Sequence, residues 1–183
     1  LWSRGLGDVY KRQHSPQHSA SAPALALTIA GSEATGGAGA QADLKTFQEL
    51  GVFGIVALTC IVSFDPEDDW NHRFFPVPTE ILQQQLDAIQ GDYPERLRTV
   101  KLGMQGSPEV IRTSAAALRR AEWDHVVLDP VLICKGQEPG HALDTDQALK
   151  AELLPLATFT TPNHFETEQL SGMTCLLYTS DAA

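Results

Sequence analysis

The feature that most limits what this chain can fold into is an alternation of short apolar runs with helix-patterned segments. Leu25 to Ala30 is a run of strand length that opens into the glycine-rich stretch Gly31 to Gly39. Ala40 to Leu50 then places Leu44, Phe47 and Leu50 on one helical face, and Gly51 stops it. Ile55 to Thr59 is a second buried-strand run. Asp65 to Pro78 is polar, aromatic and punctuated by proline, which predicts a long loop or a small flap. A helix is predicted over 79–89, with Ile81, Leu82, Leu86 and Ile89 inward, and a third strand over 99–103. Ser107, Pro108 and Glu109 supply an N-cap, a first-position proline and an acidic first turn for a helix reaching about 121. Strands at 125–128 and 157–160 flank a helix over 146–153.

Strands that alternate with helices require crossovers, and crossovers give a mostly parallel sheet covered on both faces. The predicted class is α/β, a three-layer αβα sandwich. In such sheets ligands gather beyond the carboxyl ends of the strands. The unusual patches of this sequence fall at those ends: Gly31 to Gly39, Thr59 to Phe64, Gly103-Met104, Asp129-Pro130 and Thr161 to Asn163. Five converging patches argue for one site.

Composition removes several alternatives. With 183 residues the chain suits one domain of ordinary size. Thirteen basic against 23 acidic residues give a net charge of −10, and no basic stripe is present, so binding to a nucleic-acid backbone is not expected. No apolar run approaches the ~18 residues of a membrane span. Cys60, Cys134 and Cys175 are widely separated and form neither a disulfide framework nor a metal pair, which suits a reducing cytoplasm.

The ends read as foreign. SRGLGDVYKRQ (3–13) resembles a frame translation of a transposon-derived sequencing adapter, and CLLYTSDAA (175–183) resembles the opposite strand of the same element. The expected organisation is therefore adapter-coded residues 1–13, a flexible leader at 14–24, a domain at 25–174 and an adapter-coded tail at 175–183, with the natural protein continuing past Thr174.

Individual residues leave alternatives open. Gly31 to Gly39 has no Gly-Lys-Ser/Thr and so is no P-loop, yet its glycines suit a phosphate or the close approach of a flat ligand. Gly37-x-Gly39-x-x-Ala42 formally matches a dinucleotide fingerprint, far from the tight turn that motif needs. Asp43, placed in the first helical turn, suits the helix dipole or a ligand hydroxyl or ring nitrogen. Asp129 suits a magnesium ion's water shell or a loop cap. Asn163 and Glu166 have capping-box spacing, which structure alone explains. Met104 suits a planar ligand or the core, Lys135 a phosphate or solvent, and Cys60 and Cys134 packing.

Together these residues resemble the ribokinase-like small-molecule kinases, specifically the hydroxymethylpyrimidine and pyridoxine/pyridoxal kinase family. The resemblance rests on ALTIAGSEATGGAGAQADLKTF (26–47), VKLGM (100–104), VVLDPVLICKG (126–136) and LLPLATFTTPNHFETEQLSGM (153–173), in the family's order. TCIVSFDPEDDW (59–70) is similar to the pyridoxine kinase branch, whereas hydroxymethylpyrimidine kinases tend to carry a glutamine-asparagine pair at Phe64-Asp65. The resemblance implies transfer of the ATP γ-phosphoryl group to the hydroxymethyl group of pyridoxal or pyridoxine, with hydroxymethylpyrimidine as the second substrate class. A non-catalytic dinucleotide-binding module is the alternative of another kind. The resemblance further implies a substrate pocket lined by Gly31, Asp43, Val62 and Met104. Asp129 and Glu166 would hold Mg2+ mainly through waters, and Asn163 would lie near the ATP phosphates. It also implies a homodimer at full length. Glu33 stands where the family usually has aspartate and receives no role. The family's catalytic base and anion hole belong to a later glycine-rich segment, so no catalytic residue is assigned and negligible turnover is expected of the chain as given.

Overall fold

The computed structural model describes residues 22–132 and 139–174, with the side chains of 139–143 excepted. Cys134, Lys135, Cys175, both end segments and the leader up to residue 21 lie outside the described residues.

Six strands form one sheet among the described residues: β1 (Leu25–Glu33), β2 (Phe53–Asp65), β3 (Asn71–Pro76), β4 (Thr99–Leu102), β5 (His125–Leu128) and β6 (Phe159–Thr160). The helices are α1 (Gly39–Glu49), α2 (Thr79–Asp92), α3 (Pro108–Arg119), α4 (Pro139–Ala148) and α5 (His164–Ser171). The strand order is β3-β2-β1-β4-β5-β6, parallel except for β3, which runs antiparallel to β2.

Side-chain alternation divides the sheet into two faces. Leu27, Ile29, Val100, Leu102, Val126 and Leu128 pack with Leu82 and Leu86 of α2, Ile111 and Leu118 of α3, and Leu149 and Leu153. Fully burying one such leucine is worth about 1.5–3 kcal/mol. The opposite face carries Thr28 and Lys101, both bonded to Asp43 of α1. Helices thus lie on both faces, as the alternation requires. Gly54 lets α1 settle close to β2, because a Cβ there would stand 2.5 Å from a Leu44 methyl.

Chain order fixes where a ligand goes. From β1 the chain passes through α1 to β2 on one side, then returns through α2 to β4 on the other side. The sheet therefore has its topological switch between β1 and β4, where neighbouring crossovers part and leave a crevice.

Local signals were accurate. Ser107 accepts a hydrogen bond from the Val110 amide at 3.3 Å, with Pro108 at the first helical position, and β5 has the predicted bounds. Three differences stand out. Residues 71–76, predicted as loop or flap, form a paired edge strand, and β2 lengthens to 65 to meet it. The helix predicted at 146–153 is already present at Pro139, ends as α-helix at Ala148, and continues as a π-turn (Leu149–Leu153) and a short 3-10 turn (Leu154–Leu156). Its first half lacks apolar periodicity, which hid it. The last strand shortens to two residues, with Thr158 and Thr161 extending the bonding to β5.

Candidate active site

At the switch point, the end of β1 is distorted by design of its neighbour. The β1–β2 register steps from Ala30↔Leu58 to Ser32↔Ile61, so β2 carries one extra residue opposite Gly31. Such bulges re-aim the chain at functional edges. Gly31 has no room for a side chain, since a Cβ would lie 2.5 Å from Cys60 Sγ and 3.7 Å from Met104 Sδ. The Thr59 hydroxyl donates to the Met104 carbonyl at 2.7 Å, and Cys60 Sγ lies 3.5 Å from Met104 Sδ. Cys60 is fully buried, and that burial pushes its thiol pKa up, so it packs rather than attacks.

Over this floor opens a cleft of about 360 Å³. Gly31, Gly103, Met104, Val62, Phe64 and Val131 give it apolar walls, while Glu33, His72, Lys101 and Asp129 bring polar groups to it. The volume suits one small ring and its substituents.

Glu33 organises the rim. Its carboxylate accepts from the amides of Thr35, Gly37 and Ala38 at 2.8, 2.9 and 3.3 Å, and from the Thr35 hydroxyl at 2.9 Å. Gln41 clamps the strand end, accepting from the Glu33 amide at 3.0 Å and donating to Ser32 at 2.7 Å. The loop's amides are thus directed inward onto a carboxylate. This excludes the phosphate-cradle reading of Gly31 to Gly39 and removes the basis for the dinucleotide module.

Those bonds, the Thr35 amide first, hold the Glu33 pKa below the ordinary 4.5. A carboxylate with a depressed folded pKa stabilises the fold fully above its unfolded value, and that contribution is lost as pH falls through the folded one. Acid should therefore loosen the 34–38 loop below pH 4.5. Chemical denaturation from about pH 5 to pH 3 should show a slope in the wild type that Glu33→Gln reduces; superimposable slopes would refute the assignment.

Asp43 stands behind the cleft wall rather than on it. Since α1 begins at Gly39, Asp43 is its fifth residue, in the second turn and not the first. Its carboxylate is held by side chains from the sheet instead of by the helix end: the Thr28 hydroxyl donates at 2.6 Å, and Lys101 Nζ lies 2.9 Å away. Lys101 lines the cleft and also approaches Asp129 Oδ2 at 3.6 Å. A chain Thr28–Asp43–Lys101–Asp129 thus crosses from β1 to β5. Lys101 was missed in the sequence although a lysine between Val100 and Leu102, inside a buried strand, was a usable signal.

Of the residues expected at the substrate pocket, Gly31, Val62 and Met104 line the cleft, as does Asp129 of the expected metal pair. Asn163 and Glu166 do not. They form both halves of a capping box on α5, each partner's amide bonded to the other's side chain at 2.8 Å, with Glu166 buried. They stand at the carboxyl end of β6, beside the β5 end that carries Asp129.

Comparison with known proteins agrees with this geometry. The family described as phosphomethylpyrimidine kinase matches residues 33–181, which extends past Thr174. A pyridoxine kinase of Bacillus subtilis is 47% identical over 152 residues, covering 81% of this chain and 54% of that protein. A hydroxymethylpyrimidine/phosphomethylpyrimidine kinase of the same organism is 42% identical with the same coverage. The pyridoxal kinase of Staphylococcus aureus, solved with AMP-PCP and pyridoxal, superposes with a TM-score of 0.75 at 41% identity, over 85% of this chain and 54% of that one. The chain spans about half the length of the curated relatives it matches. Profile, relatives and superposition agree, and the chain belongs to the phosphomethylpyrimidine kinase family.

Proposed function

We propose that this chain supplies the ring-binding part of an ATP-dependent kinase that phosphorylates the hydroxymethyl group of pyridoxine or pyridoxal. The observation that carries the reading is the ring-sized apolar cleft at the switch point, with Lys101 and Asp129 gathered at its polar end. Glycines at Gly31 and Gly103 admit a flat ring, and Val62 and Met104 flank it. Asp43 acts on the ligand through Lys101, which it holds in place. Support for vitamin B6 over the pyrimidine comes from Phe64-Asp65 and from the higher identity to the pyridoxine kinase.

In the proposed reaction the substrate's hydroxymethyl oxygen gives up its proton and bonds to the γ-phosphorus of ATP as the bond from that phosphorus to the β,γ-bridging oxygen breaks, releasing ADP and a proton. Such transfers depend mainly on positioning and charge stabilisation. Lys101 holds a positive charge near Asp129, and the Glu33-bound loop fixes the cleft's rim. Asn163, exposed at the start of α5, would stand beside the nucleotide phosphates.

Among the described residues no group of three His, Cys, Asp or Glu side chains converges. Asp129, just past β5, and Glu166, in the first turn of α5 with Oε2 already accepting from the Asn163 amide, carry hard carboxylate oxygens that would suit Mg2+ keeping its waters and riding on the nucleotide. Bound there, Mg2+ would neutralise phosphate charge. Among the described residues no helix is long and apolar enough to cross a membrane.

Calorimetric titration of residues 1–183 tests the reading. Pyridoxine should bind at least about tenfold more tightly than hydroxymethylpyrimidine, a difference of roughly 1.4 kcal/mol. Tighter binding of the pyrimidine would transfer the assignment to thiamine precursors.

A further inference from the structure

We propose that Gln105 is a positioning residue for the ring ligand, fixing the Gly103–Met104 corner of the cleft floor, an inference that rests on the ring-binding reading above. Gln105 is 2% exposed and does not line the cleft, whereas Gly103 and Met104 do. It therefore acts on a ligand through them.

The neighbouring strands β1 and β4 part at this point. Their parallel pairing ends at Ile29↔Leu102, followed by a bond from the Gly103 amide to the Ile29 carbonyl at 3.0 Å. Gln105 Nε2 then donates to the Ile29 and Gly103 carbonyls, each at 3.1 Å. A side-chain amide thus takes over where the backbone ladder stops. Its other end is held from α3, where the fully buried Ser114 donates its hydroxyl to Gln105 Oε1 at 2.7 Å. Burying an amide costs free energy unless its bonds are met, and here both amide hydrogens and the oxygen are engaged. Two carbonyls at one end and a hydroxyl at the other leave the amide one orientation.

The same corner is fixed from a second side. The Met104 carbonyl accepts from the Thr59 hydroxyl at 2.7 Å, so two successive carbonyls are tied to side chains of the interior. Gly103 is also packed closely, since a Cβ there would stand 3.1 Å from the Cβ of Ala30. Without Gln105 the Gly103 carbonyl loses the bond that turns it inward, and the nearest water is in the cleft. The Gly103–Met104 peptide would rotate toward that water and carry the Met104 side chain with it. A flat ring needs its floor held before it arrives, because a floor that must be ordered on binding subtracts from affinity.

The test uses residues 1–183 with methionine labelled by carbon-13 at its methyl group. The chain has two methionines, Met104 on the cleft floor and Met173, which is 71% exposed and serves as the internal reference. Gln105→Leu keeps the bulk and removes all three bonds. In the free variant the Met104 methyl signal should move while that of Met173 stays, and pyridoxine affinity by calorimetry should fall roughly tenfold. Ser114→Ala releases only the oxygen end of the amide, so it should move the same signal less and weaken pyridoxine about threefold. It decides the matter if the leucine variant does not fold. Gln90→Leu is the control, because it removes a comparable bond, Nε2 to the Ala117 carbonyl at 2.8 Å, between α2 and α3. It should leave the Met104 signal in place and the affinity within about twofold. A Met104 signal or an affinity that stays at the wild-type value in the Gln105 and Ser114 variants that fold would show a merely structural amide and overturn the inference, whatever their loss in urea stability. Losses in the control equal to theirs would overturn it too. Failure of the wild type to bind pyridoxine would instead overturn the vitamin B6 reading, and the signal of the free variants would still decide whether Gln105 fixes the corner.

Discussion

Replacing Gly39 by alanine should unfold the rim of the cleft and abolish ligand binding. Gly39 opens α1 at φ +61°, in the left-handed region, and a Cβ there would stand 2.3 Å from the carbonyl oxygen of Gly31 and 3.3 Å from its carbonyl carbon. Both obstacles are backbone at the site's floor, so no side-chain rotation relieves them. Left-handed strain alone costs about 1–3 kcal/mol in a non-glycine residue, and the collision adds to it. The helix start would have to withdraw from β1, breaking the bonds that Glu33 makes to Gly37 and Ala38. We expect a loss of at least about 3 kcal/mol in urea unfolding, with pyridoxine binding undetectable. Gly37→Ala is the control, because its nearest obstacle is the Thr35 hydroxyl at 3.6 Å. Equal stability of the two variants would refute the argument.

Asp43→Ala should be nearly as damaging for a different reason. It removes the acceptor of a hydroxyl, on Thr28, that is wholly buried, and it leaves Lys101 with Asp129 at 3.6 Å as its remaining ion-pair partner. Breaking a buried pair from one side costs about 3–5 kcal/mol. Lys101 keeps a quarter of its side chain in solvent, so about 2–4 kcal/mol is expected here. Asp43→Asn keeps an acceptor for Thr28 and loses only the charge, so its cost should be about half as large. Denaturant titration of both variants decides the matter. An alanine variant within about 1 kcal/mol of wild type would remove Asp43 from the network.

These two residues also show where sequence reasoning stops. Signals confined to a few neighbours were legible: the Ser107 cap, the Asn163–Glu166 box, and the apolar runs that became β1 and β5. Each is decided within one turn or one strand. Gly31, Val62 and Met104 were placed at the cleft by strand-end convergence and family resemblance together, since both point to the same edge of the sheet. Asp43 was seen but put one turn too early, because the helix start depends on Gly39 meeting β1 and not on local propensity. Lys101 owes its place to a carboxylate 58 positions earlier, a relation invisible until the sheet is assembled. Glu33 was set aside as a departure from aspartate, yet its longer reach spans a loop whose shape only the fold reveals. The edge strand β3 was obscured because its outward residues, Arg73 and Phe75, are exposed and break the expected apolar pattern.

That edge strand has a kinetic consequence. Pairing between β1 and β2 ends at Glu33↔Val62, while the β2–β3 hairpin continues through Phe64↔His72 to Asp65↔Asn71. Its tip therefore overhangs the sheet, two strands wide and unsupported by β1. The floor at Gly31 and Met104 belongs to the centre of the sheet and opens only with the whole domain, whereas an overhang at an edge opens on its own. The two halves of the cleft thus answer to different clocks. How tightly a ligand is held is a property of the floor, and how long it stays is a property of the door.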